Sequence, residues 1–120
     1  MELTVYEKNR IESQCEPLIE KFKSQYVLEN PNKEYNYLVD IYIKWYRGYL
    51  YFCGKYKSEG PDRFAGEFED KFVRLQIIKK DSFEISYMHH TEKWHLVARD
   101  LTLNKCLEMI EDIPTFHPVS

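Results

Sequence analysis

The sequence predicts an α+β fold: an antiparallel β-meander of four or five strands, flanked by an N-terminal helix and a C-terminal helix. Three observations predict it. Apolar residues recur at helical spacing near the two ends of the chain, and between them they alternate with polar residues at the two-residue period of half-buried strands. Rings are also abundant, with 10 Tyr, 7 Phe and 2 Trp among 120 residues, and aromatic side chains pack well on pleated surfaces.

The first element opens at Thr4-Val5-Tyr6-Glu7, whose T-x-x-E form is that of a capping box. Ile11, Cys15, Leu18 and Phe22 then make one helical stripe, with Glu7, Glu12, Glu16 and Glu20 largely off it. Pro17 interrupts the pattern, because it lacks a backbone donor and crowds the preceding turn. A helix kinked or split near Pro17 is expected, ending by the turn cluster Asn30-Pro31-Asn32.

Strand alternation runs from Leu38 to Tyr46. Val39, Ile41, Ile43 and Trp45 face one way, and Asp40, Tyr42, Lys44 and Tyr46 the other. Arg47-Gly48 suits a two-residue turn pairing Tyr46 with Tyr49, Trp45 with Leu50 and Ile43 with Phe52. That register joins apolar to apolar and tyrosine to tyrosine, and a slip of one residue would invert both faces. Ser58–Asp70 reads as a surface connection within one domain spanning residues 1–120. In the second hairpin, Val73, Leu75 and Ile77 share a face with Phe83, Ile85 and Tyr87 only if the loop around Lys79-Lys80-Asp81 is odd-numbered. A short fifth strand is expected over Trp94–Val97. Asp100 or Thr102 then caps a helix bearing Leu103, Cys106, Leu107 and Ile110 that stops at Pro114.

The chain carries a formal net charge of -3, which opposes a broad nucleic-acid backbone interface, so nucleic acid is not an expected partner. Met1-Glu2-Leu3 does not open a secretory leader and no apolar run reaches membrane-span length, so a cytoplasmic protein without membrane attachment is expected. Cys15, Cys53 and Cys106 form no C-x-x-C pair and read as reduced, buried thiols. The phosphate-binding, dinucleotide-binding, zincin and hydrolase motifs are missing from the sequence, and no cofactor is expected.

Two groups of side chains are candidate sites. Tyr42, Lys44, Tyr46, Tyr49 and Tyr51 fall on one face of the first hairpin, opposite Ile43, Trp45, Leu50 and Phe52. An open face of that composition suits a protein partner or a homodimer. His89, His90 and His95 are the second group. Adjacent strand residues point to opposite faces, so His89 and His90 cannot share an ion unless the strand breaks. His90 and His95 with Glu84 or Glu92 would be the metal set, although no spacing demands one. Lys71, Arg74, Lys79 and Lys80 read as a solvated, aggregation-resisting set.

From Tyr87-Met88 through Lys93-Trp94 to the Leu103–Ile110 helix, the chain resembles small uncharacterised bacterial proteins of domain-of-unknown-function type, over roughly Lys71 to Pro118. The resemblance implies a small one-domain protein and carries over no catalytic residue. The expected function is thus a non-enzymatic binding or self-association domain using the aromatic face. The alternative is a small enzyme or metal-binding protein using His89, His90 and His95.

Overall fold

Thr4 opens the first helix through a reciprocal box: its hydroxyl accepts from the Glu7 amide at 3.1 Å, and the Glu7 carboxylate accepts from the Thr4 amide at 3.1 Å. In this computed structural model, which describes residues 2–59, 66–88 and 91–118, the helix (α1) spans Val5–Tyr26. It continues through Pro17 as one element, so the alternative of two abutting helices does not occur. Burial of Ile11, Cys15, Leu18, Ile19 and Phe22 holds the turns on both sides of the proline.

Five strands follow: β1 (Tyr37–Tyr46), β2 (Tyr49–Ser58), β3 (Gly66–Lys79), β4 (Ser82–Met88) and β5 (Trp94–Leu101). They pair in chain order as an antiparallel meander, with β1 and β5 at the edges. The first hairpin has the expected register of Tyr46 opposite Tyr49, Trp45 opposite Leu50 and Ile43 opposite Phe52. Its turn needs positive φ at both central residues, and Arg47 (49°) and Gly48 (83°) supply it.

Bulges account for most departures from simple alternation. One between Leu38 and Asp40 turns Leu38, rather than Val39, into the core, where it is buried beside Ile41. A second, opposite Phe52 and Cys53, lets Phe72 and Val73 both face inward. A third, between Ile77 and Lys79, puts Ile77 opposite Phe83, so that both apolar rows share a face. The turn itself, Lys80-Asp81 between the paired Lys79 and Ser82, has two residues rather than the expected odd number.

Two boundaries differ from expectation. Strand β3 already begins at Gly66, so the connection is shorter than Ser58–Asp70; Phe68 stacks on Tyr56 at 5.4 Å and Lys55 reaches Glu67 at 3.8 Å, which extends the pairing. Strand β5 continues past Val97 to Leu101, because two register shifts keep its later residues against β4. Thr102 caps the second helix, α2 (Leu103–Asp112), by accepting from the Lys105 amide at 3.1 Å. Asp100 instead accepts from the Ser82 hydroxyl at 2.8 Å, and Asp81 accepts from the Leu103 amide at 3.2 Å. The β3–β4 turn is thereby fastened to the start of α2. A 3₁₀ turn, Pro114–Phe116, follows.

Both helices lie on the same side of the sheet. Phe22, Ile110 and Phe116 meet Ile41, Leu50, Phe52, Val73, Leu75 and Ile85 in one buried cluster. Among the described residues, no helix is long and apolar enough to cross a membrane.

Candidate functional site

Strand pairing fixes the face turned away from the helices. Tyr42 lies opposite Cys53, Lys44 opposite Tyr51 and Tyr46 opposite Tyr49, and β3 continues the row with Arg74 opposite Tyr51 and Gln76 opposite Tyr49. Directly paired residues share a face, so Tyr42, Lys44, Tyr46, Tyr49 and Tyr51 all stand on this side. On the other side the indole N–H of Trp45 donates to Glu12 of α1 at 2.8 Å, which confirms where the helices sit.

The five residues are not equally open. Lys44 is exposed, Tyr46 is 49% exposed, Tyr42 and Tyr49 are half-buried, and Tyr51 keeps only 7% of its surface. Tyr51 is covered by Trp94, whose ring reaches over from β5 to a centroid distance of 5.6 Å. Tyr49 lies 5.9 Å from Tyr51. Arg74 completes the cluster, with its guanidinium 4.5 Å from the Tyr49 ring and 5.0 Å from the Trp94 ring. Lys71 lies 5.3 Å from the Tyr51 ring, and Arg47 lies 5.2 Å from that of Tyr46.

Next to the rings is a polar clasp. The Tyr42 hydroxyl donates to the Glu69 carboxylate, which also takes Lys44 at 3.4 Å and Lys71 at 3.8 Å. The Tyr42 hydrogen bond, followed by Lys44, holds the Glu69 carboxyl below the usual carboxylate range. Tyr42 is driven the other way, first by burial and then by its bond to Glu69. Cys53 lies fully buried under this clasp. Burial pushes the thiols of Cys15, Cys53 and Cys106 up to about 12, so none is poised as a nucleophile.

Of the group His89, His90 and His95, only His95 falls within the described residues. His89 and His90 lie outside them. His95 sits on edge strand β5 with its ring 5.5 Å from Tyr87, on the helix side of the sheet. His117 is placed elsewhere, its Nδ1 accepting from the Tyr26 hydroxyl at 2.6 Å and its Nε2 donating to the Glu111 carbonyl at 2.9 Å. Among the described residues, no group of three His, Cys, Asp or Glu side chains could hold a metal ion.

Sequence reasoning missed Trp94 and the position of Arg74 against the rings of Tyr49 and Trp94. Alternation in β3 does place Arg74 on this face, and Trp94 shares it through its pairing with Met88. The contact from Trp94 to Tyr51 nevertheless crosses two intervening strands, and no local period encodes such a contact.

The geometry is that of a two-layer α+β unit, with helices on one sheet face and an aromatic surface flanked by ion pairs on the other. A family described as "Domain of unknown function (DUF3024)" matches residues 3–118, and the chain belongs to that family. The likeness seen in the C-terminal half therefore extends over nearly the whole chain. No curated protein and no solved structure matches it.

Proposed function

We propose that the chain is a small, non-enzymatic binding domain of the cytoplasm, whose working surface is the open sheet face and whose partner is a protein, a second copy included. One observation carries this reading. Both helices cover the face of Ile41, Leu50, Leu75 and Ile85, while the opposite face presents Tyr42, Lys44, Tyr46, Tyr49, Trp94 and Arg74. Tyrosine and tryptophan bring large contact area with few rotatable bonds, and they are enriched together with arginine where protein interfaces bury their centres. Tyr51 supports this surface from beneath. Three free, buried cysteines suit a reducing compartment.

Sedimentation velocity and hydroxyl-radical footprinting of Tyr46, Tyr49 and Trp94 test the proposal together. These rings are expected to lose reactivity as protein concentration rises, or when cytosolic extract is added. A monomer at every concentration, with rings that react equally in buffer and in extract, removes it.

A further inference from the structure

Arg74 differs from Lys44, Lys55, Lys71 and Arg99 on the open face. Lys44 and Lys71 share Glu69, Lys55 has Glu67 at 3.8 Å, and Arg99 has Glu84 at 3.9 Å. Arg74 makes no hydrogen bond or ion pair among the described residues; its contacts are the rings of Tyr49 and Trp94. A guanidinium carries five N–H donors in its plane and none above it. Packing against two rings restrains the guanidinium, and among the described residues no acceptor takes its donors. Pinning the fork in advance removes much of the ordering entropy that a bidentate contact costs.

We propose, resting on that reading of the open face, that Arg74 is the anchor point for an acidic protein segment, whose side-chain carboxylate meets the guanidinium edge in a bidentate pair. Charge complementarity selects this occupant. A nucleic-acid strand needs a row of unpaired cations along its phosphates and open ring platforms for its bases. Here the lysines are neutralised by glutamates, and Tyr49 and Trp94 already turn to Arg74. A guanidinium held against two rings, with no carboxylate beside it among the described residues, suits one carboxylate.

The test is NMR titration of the full chain at low ionic strength, following the Arg74 Nε–H and Trp94 indole resonances. The probes are an oligoglutamate peptide and, separately, an oligothymidylate. Oligoglutamate is expected to shift both resonances saturably. Arg74→Gln should weaken it about tenfold or more, and Arg74→Lys, which keeps the charge but loses the fork, should recover only part of that. Retained amide dispersion in Arg74→Lys shows that the loss is not unfolding. The inference is overturned if oligoglutamate produces no saturable shift, if Arg74→Gln binds it equally, or if oligothymidylate binds more tightly at the same residues. Protection of Tyr46, Tyr49 and Trp94 by a partner that is unchanged in Arg74→Gln would remove the anchor while leaving the binding face standing.

Discussion

Gly54 sits inside β2 because nothing larger fits there. A Cβ at this position would lie 2.8 Å from Leu38 Cδ1 and 3.2 Å from Tyr56 Cε1, and both of those side chains are buried. With Leu38 turned inward by the β1 bulge, the neighbouring position opposite Ile41 is left with room for a glycine. Gly54→Ala is expected to lower stability by about 1–3 kcal/mol, the usual cost of overpacking. Urea unfolding checks this: the midpoint should fall with an unchanged slope. Gly48 is required for the other reason, its positive φ, since nothing approaches within 4 Å of where its Cβ would stand. The Gly48 turn could be read from sequence, because a two-residue loop between alternating runs asks for a residue tolerant of that φ. The steric need at Gly54 could not, because Leu38 lies 16 positions away and reaches it only through a bulge.

Elements follow the local chemistry closely where one signal acts alone, as at the Thr4 capping box, the Arg47-Gly48 turn and the Thr102 cap. They depart where tertiary contacts add to it. Helix α1 runs through Pro17 because its buried stripe outweighs the lost hydrogen bond. Strand β3 gains Gly66–Asp70 because Phe68, Glu67 and Glu69 find partners on β1 and β2. The clasp that joins β1 to β3 makes a pH prediction. Glu69 has a folded-state pKa below its ordinary value, so its stabilising contribution is present above the ordinary carboxylate range and is lost as pH falls through the lowered folded value. Tyr42→Phe removes the largest cause of that shift. The Glu69 titration midpoint, followed by carboxyl NMR, should then rise toward the ordinary range, and acid sensitivity should diminish. An unmoved midpoint would show that the lysines alone hold it down.

At the scale of the whole molecule, the core is closed by its last turn. Phe116 is 1% exposed and meets the Tyr87 ring edge-on at 6.2 Å, while the neighbouring His117 is held by Tyr26 and by the end of α2. The 3₁₀ turn therefore ties the second helix to both the sheet and α1. Phe116→Ala is expected to cost about 3–5 kcal/mol through the lost burial and the cavity it leaves. Chemical denaturation would show this as an early loss of the whole transition, because one cluster joins all the elements. A stability change under about 1 kcal/mol would mean that the site collapses without penalty.

By itself the sequence determined the α+β class, the meander, the register of the first hairpin and, away from the bulges, the apolar side of the first four strands. These are properties of local period, capping and turn chemistry, and they act over a few residues. Only the tertiary structure decided that Trp94 crosses β4 and β3 to bury Tyr51, and that Arg74 comes against the rings of Tyr49 and Trp94. The physical reason is range. Alternation assigns a side chain to a face, whereas the neighbour it meets there depends on pairing order, bulges, sheet curvature and side-chain reach, which arise only once all five strands are assembled.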